Sequence, residues 1–447
     1  VAFPQNIQSA DYTLVIGDAG KQIFHPVADT TPRRYTIPSN ASVAFPIGTV
    51  VLFTVENGGN FVSVGINSDT LVFGAGTTGS LLVAANNTLM AIKVTSTKWM
   101  ANYLYQTGNA AGNESIAVAH QTTPFVSAYP WTVSGGFGTK YSNPTTLPVA
   151  NARGVAFNPA GTSIAVAHFT SPFVSAYPWN VSTGFGTKYT DPATLPTGDG
   201  TGVTFNPAGT SIAVTHEISP YVTAYPWNVS TGFGTKYTNP ATLPTGIGRG
   251  VAFNPSGTVI AVTHDTAPFI TTYPWNAGTG FGTKYTDPAT GLGAGRNGTG
   301  VAFSPAGDAL AISHDVTPYI SAYAWSGAGF GTKFANPATL PTGTGQGVAF
   351  SPAGTAIAVA HFSSPYITAY PWSGSGFGTK YTDPASLPSS TGNGVAFSAA
   401  GNAIAVAHDT TPFVTAYPWS GTAFGTKYTN PVTLPSFNGK GVAFGVF

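Results

Sequence analysis

The chain has 447 residues, enough for two or three domains that each bury a core. Charged residues make up only 7% of it, against a usual share of about 25%, and aromatic residues reach 13%, so it has the apolar surface to fold and is not disordered. A net charge of +1 without a basic run excludes nucleic-acid binding, the lack of cysteine excludes thiolate metal sites, and no apolar run nears the roughly 18 residues of a membrane span.

In chain order, the first predicted elements are short strands: YTLVIG, RRYTIP, VVLFTVE, FVSVGI, LLVAA and the long run LMAIKVTSTKWMANYLY. DAG, NGGN and GAGTTG turns separate them. Residues 1–108 thus predict an all-β domain of the β-sandwich or jelly-roll type. Residues 109–113, within GNAAGN, read as a hinge.

From residue 114 the chain repeats. His120, His168, His216, His264, His314, His361 and His408 follow one another at 47–50 residues, and a tryptophan lies eleven residues after each. One unit, 154–201, reads GVAFNPAGTSIAVAHFTSPFVSAYPWNVSTGFGTKYTDPATLPTGDGT. It predicts four strands: GVAF (a), SIAVAH (b), FVSAYPW (c) and FGTKY (d), divided by Asn-Pro-Ala-Gly, Ser-Pro and Asp-Pro turns. Four strands per repeat without helical periodicity predict propeller blades, and seven GVAF segments predict seven. The first unit lacks strand a and the last GVAF stands alone, so the C-terminal strand is expected to complete blade one and close the ring.

Antiparallel order puts the b–c and d–a loops at one end of the propeller and the a–b and c–d loops at the other. The chain enters blade one at strand b, so the N-terminal domain is expected at the a–b end, with the opposite end free. The free end carries the residues that vary between repeats. Before each Gly-Val stand Arg153, Thr201, Arg249, Thr299, Gln346, Asn393 and Lys440. After each histidine stand Gln121, Phe169, Glu217, Asp265, Asp315, Phe362 and Asp409. Variable side chains on loops of a rigid scaffold are where binding resides, so the expected binding residues are Arg153, Phe169, Glu217, Arg249, Asp265, Asp315, Gln346, Phe362, Asp409 and Lys440.

The histidines read as scaffold. Ligands of one metal must lie within about 4 Å of one another, whereas equivalent residues of stacked sheets are about 10 Å apart. A buried imidazole bonded to a loop or a Ser/Thr is expected, with no metal and no cofactor. The tryptophans read as packing between blades, and the GTK lysines (Lys140 and its counterparts) as solvated residues that protect an edge strand. No paired carboxylates, phosphate loop, HExxH or GxSxG is present, so the chain is expected not to be an enzyme.

The pattern GVAFSPAG–AIAVAH–PYITAY–W resembles the WD40-like propeller repeats of phage and prophage virion proteins, without the Gly-His and Trp-Asp dipeptides of eukaryotic WD40 repeats. DYTLVIGDAGKQI, YTIPSNASVAFPIGTVV and LMAIKVTSTKWM resemble a small β-domain of tailed-phage fibre and appendage proteins. The resemblance implies a trimeric virion protein, attached to other virion proteins through residues 1–108, whose propeller binds a host-surface glycan or protein. A capsid or tail decoration protein is the alternative expectation, and a polysaccharide-cleaving enzyme the third.

Overall fold

The computed structural model describes residues 3–29, 31, 33–56, 62–73, 76–78, 80–83, 87–106, 114–292 and 297–445. The hinge expected at 109–113 and the NGGN turn at 57–60 lie outside them. The chain divides into two compact units, Val1–Gly112 and Asn113–Phe447, and is all-β apart from one short 3-10 turn among the described residues.

The N-terminal unit contains β1 (Gln5–Ile7), β2 (Tyr12–Thr13), β3 (Gln22–His25), β4 (Arg33–Ile37), β5 (Val50–Val55), β6 (Val62–Ile66), β7 (Thr70–Phe73), β8 (Gly76–Thr78), β9 (Ser80–Val83), β10 (Asn87–Thr95) and β11 (Lys98–Gln106). One sheet has the order β1-β3-β5-β10-β11-β7-β8 and a second the order β2-β4-β6-β9. Alternation places Val51 and Phe53 of the first sheet and Tyr35, Val62 and Val64 of the second in one buried cluster with Trp99. The sequence misses β1, β3, β7 and β8. It reads YTLVIG as a single strand, where the chain turns into a 3-10 helix at Ile16–Asp18. The long run at 89–105 is a hairpin, β10 and β11 pairing antiparallel across Thr95–Lys98.

The second unit is a propeller of seven blades. In blade two, strand a is Ala152–Phe157, b is Ser163–His168, c is Val174–Asn180 and d is Gly184–Phe185. They pair in the order a-b-c-d, an arrangement that blades one and three to five repeat, while the sheets of blades six and seven keep only a-b-c. Strand a begins two residues before Gly-Val, with a bulge between Ala152 and Gly154. In blade one, Glu114–His120 pairs with the C-terminal strand Gly439–Gly445, so the two ends of the array share one sheet. The innermost strands touch in sequence around the ring, including 152–157 against 439–445. Such closure leaves no free sheet edge along the ring.

Glycine precedes each of the seven axial valines because the a strands crowd together. A Cβ on Gly202 would meet the Arg249 carbonyl oxygen at 3.0 Å, and one on Gly154 would meet the Gly202 Cα at 3.0 Å. Between blades the packing is aromatic. Trp227 lies edge-on to Tyr189 of the preceding blade at 5.1 Å and to Phe205 and Phe233 of its own blade, and every blade repeats this cluster, with Phe334 in place of the tyrosine against Trp372. Edge-to-face pairs of this kind add about 0.5–1.5 kcal/mol each beyond their buried area.

The expected FGTKY strand is corrected. Only Gly-Phe pairs in blades one to four, and in blades six and seven a single bridge remains, Trp372 to Phe377 and Trp419 to Phe424. Blade five alone has a long fourth strand, Gly329–Lys333. The physical reason is proline. Pro130, Pro178, Pro226, Pro274, Pro371 and Pro418 have no N–H to offer the outer strand, whereas blade five has Ala324 there. The lysine reading is corrected with it. Lys188 binds Asp191, Lys284 binds Asp287 at 2.6 Å and Lys380 binds Asp383 at 2.5 Å, so these lysines staple the loop that leaves the blade.

Candidate functional site

Each strand b ends in a histidine with no exposed surface. The Nε2 of His264 accepts from the Thr271 hydroxyl at 2.9 Å, and its Nδ1–H donates to the Thr266 carbonyl at 2.7 Å. His216 and His314 repeat both bonds, to Thr223 and Ile218 and to Ser321 and Val316. One bond of each kind fits the neutral imidazole. Burial pushes His120, His216, His264, His361 and His408 down to about 4. In every blade the Nε2 bond ties strand b to strand c, and for His168, His216, His264 and His314 the Nδ1 bond adds the b–c loop, whereas the Nδ1 atoms of His120 and His408 are buried without a hydrogen-bond partner.

The residues before and after the repeat's fixed positions meet at one end of the ring, around the axis. The Gly-Val pairs line an axial cavity of about 180 Å³ there. Thr201, Thr299 and Asn393 are structural. Their side chains donate to Gly248, Gly345 and Gly439 carbonyls of the next blade at 2.6, 2.6 and 2.7 Å, linking neighbours. The other positions before Gly-Val carry Lys440, Arg153, Arg249 and Gln346.

The ten expected residues separate by what already holds them. Asp409 accepts from Lys440 at 2.5 Å and from Asn393 at 2.8 Å, a closed trio across blades seven and one. Asp315 takes the Asn297 N–H at 2.7 Å, and Asp265 takes the Ile247 N–H at 2.9 Å, each fixing a d–a loop. Phe362 is 59% exposed, in blade six, and Gln346 is half-buried beside the axis.

Arg153, Phe169, Glu217 and Arg249 remain. The Arg153 guanidinium lies over the Phe169 ring, 4.4 Å from its centroid. Its Nε is buried without a hydrogen-bond partner, and it makes no ion pair among the described residues. Burial holds Arg153 below its ordinary value, with nearby Arg249 acting in the same direction and Glu217 against it. Arg249 stands between Glu217 at 3.9 Å and Asp265 at 3.5 Å, too far for strong hydrogen bonds. Glu217 has no other side-chain partner in the described structure. Blades two to four therefore present one unpaired cation, one loosely held cation and one carboxylate without a structural role. Asp199, which the sequence reading passed over, belongs with them. It takes the Thr170 N–H at 3.2 Å and acts on Arg153 electrostatically. Its signal was the change from TGIG in one repeat to TGDG in another.

No protein-family profile and no curated protein matches the sequence. Solved structures do match. A propeller from Bacteroides fragilis, described as a putative 6-phosphogluconolactonase, is 13% identical with a TM-score of 0.62 over 76% of this chain and 99% of its own. The periplasmic gluconolactonase of Pseudomonas aeruginosa is 12% identical with a TM-score of 0.56, over 74% and 99%. At such identity the likeness establishes the seven-bladed propeller alone. It nevertheless overturns two expectations. The neighbours carry lactonase names, not the virion identity implied by the repeat pattern, so the reading as a phage appendage with a receptor-binding propeller does not stand. Nor does the expectation that the chain is not an enzyme. That expectation rested on missing linear motifs, and a propeller gathers its polar groups from separate blades, where no motif records them.

Proposed function

We propose that the axial mouth of the propeller binds and hydrolyses a small sugar-derived ester, a lactone in the first instance. The observation that carries this reading is Arg153, without an ion pair among the described residues, together with the loosely paired Glu217 and Arg249, on the loops next to the axial Gly-Val positions. The lactonase names of the similar propellers supply the substrate class. Glu217 would take a proton from water as its oxygen attacks the lactone carbonyl carbon, and Arg249 would steady the negative charge formed on the carbonyl oxygen. The ring C–O bond then breaks, its oxygen takes the proton, and a hydroxy acid leaves. Arg153, over the Phe169 ring, would hold the acid or phosphate group of substrate or product. Of the remaining expected residues, Asp265, Asp315, Asp409 and Lys440 hold neighbouring loops in place, and Gln346 and Phe362 stand on the same end of the ring. We also read the N-terminal unit as a β-sandwich, a reading supported by the core its two sheets share.

Acid release from glucono-1,5-lactone and its 6-phosphate, followed by pH-stat, tests the proposal. The wild type should exceed the spontaneous rate, and Glu217→Gln should lose about 100-fold or more. Arg153→Ala should raise KM for the phosphorylated substrate more than for the neutral one. Hydrolysis no faster than in buffer, or a Glu217→Gln protein as active as wild type, overturns it.

A further inference from the structure

The opposite end of the propeller holds a second feature, between blades four and five, where the repeat changes from the longer c–d loop of blades one to four to the shorter one of blades five to seven. In the other junctions of the first four blades, a tyrosine after strand d reaches the next c–d loop. Tyr141 donates to the Val181 carbonyl and Tyr189 to the Val229 carbonyl, both at 2.5 Å. The c–d loops of blades five, six and seven are one residue shorter than those of blades one to four, five residues from Trp325 to Phe330 against six from Trp179 to Phe185, so blade five is where the shorter loop first meets a long-loop neighbour. Tyr285 is left 3.4 Å from the Gly327 carbonyl, too far for a strong bond, and it is half-buried where Tyr141, Tyr189 and Tyr237 are buried.

A groove of about 630 Å³ lies at this junction, beside the short loop of blade five and the displaced Tyr285. Tyr285 and Trp325 supply aromatic walls, the a–b turn of blade four supplies Ser256 and Thr258, and Gly327 forms the rim. This size falls within the range of small-molecule sites, and the lining combines aromatic surface with a few polar groups as such sites do. No charged side chain lines it. A charged ligand would find no counter-charge there, and a purely apolar one would strip water from the weakly bonded Tyr285 hydroxyl and from the Ser256 and Thr258 hydroxyls, which are bonded to each other at 2.8 Å. A pyranose ring meets both demands, with one apolar face for an aromatic ring and hydroxyls around its edge.

We propose that this groove between blades four and five is a binding site for a neutral sugar ring, separate from the axial mouth and independent of any hydrolysis there. Gly327 offers a clean way to close it. A side chain there would meet no atom within 4 Å of its Cβ, and its backbone is not in the left-handed region, so Gly327→Phe should fold normally while filling the groove. Ser230→Phe, on the exposed c–d loop of blade three, is the control. Methyl α-glucoside, methyl β-galactoside and methyl β-N-acetylglucosaminide are presented to the full chain up to about 50 mM, a range that captures millimolar affinities. Saturation-transfer NMR should show saturable binding of at least one, kept in Ser230→Phe and lost in Gly327→Phe at unchanged melting temperature. Absence of saturable binding for all three, or binding that survives Gly327→Phe, overturns the proposal.

Discussion

Acid should unfold this propeller through its histidines. Five of the buried rings are held down to about 4. Once unfolded, each returns to about 6.5. Because the folded values are depressed, the stability they support is complete above about pH 6.5 and is lost as pH falls toward 4. At pH 5 each ring costs about 2 kcal/mol, and five together about 10 kcal/mol. That is comparable with the whole stability of a typical protein, about 5–15 kcal/mol. Near pH 5.5 the unfolded chain should bind about 4 more protons than the folded one, a slope of about 6 kcal/mol per pH unit. Urea titrations at half-unit steps from about pH 8 to pH 5 measure that slope directly. Carboxylates contribute little above pH 5, so the effect is assignable to imidazole. A slope equivalent to fewer than about one proton, or folded-state imidazole resonances titrating near 6.5, would refute the reasoning.

Three further outcomes follow from the packing. Trp227→Ala removes the hub of one inter-blade cluster and should cost about 3–5 kcal/mol in urea unfolding, with the fold retained at 25 °C. Glu114 is a buried carboxyl whose Oε1 accepts the Ala400 N–H at 3.2 Å, at the junction of blades seven and one, and burial raises its pKa. A raised carboxyl stabilises only while protonated, so Glu114→Gln should gain stability over wild type at pH 8 and lose that advantage near pH 4, as thermal melts would show. Ala324→Pro should remove the long fourth strand of blade five, read as faster amide exchange over residues 330–333, while Pro226→Ala should slow exchange over 234–236 in blade three.

Much of the propeller was legible because its information is local and repeated. A 47–50-residue period with four strand-and-turn segments implies seven blades, and the orphan strands at the two ends of the array imply closure between them. His264 as scaffold was legible too, since stacking distance alone separates the rings. The outer strand was not read correctly, although its cause, proline at 178 and alanine at 324, stands in the sequence. Propensity suggested a strand in FGTKY, and a single missing N–H in the neighbouring strand decided against it.

The candidate site was legible as a set of positions and not as a site. Composition and repeat comparison pick out Glu217 and Asp265 alike, as acids that follow a histidine. Only the folded chain distinguishes them, because Asp265 is occupied by the Ile247 N–H and Glu217 is not. Arg153 and Lys440 are likewise equivalent in the repeat, yet Lys440 is held by Asp409 and Arg153 rests unpaired on Phe169. By itself the sequence determined the repeat, the blade number and the buried scaffold, since these depend on spacing and alternation along one strand. Tertiary structure decided which charges remain unpaired and where the ring opens, because hydrogen-bond partners and gaps between blades come from residues tens of positions apart.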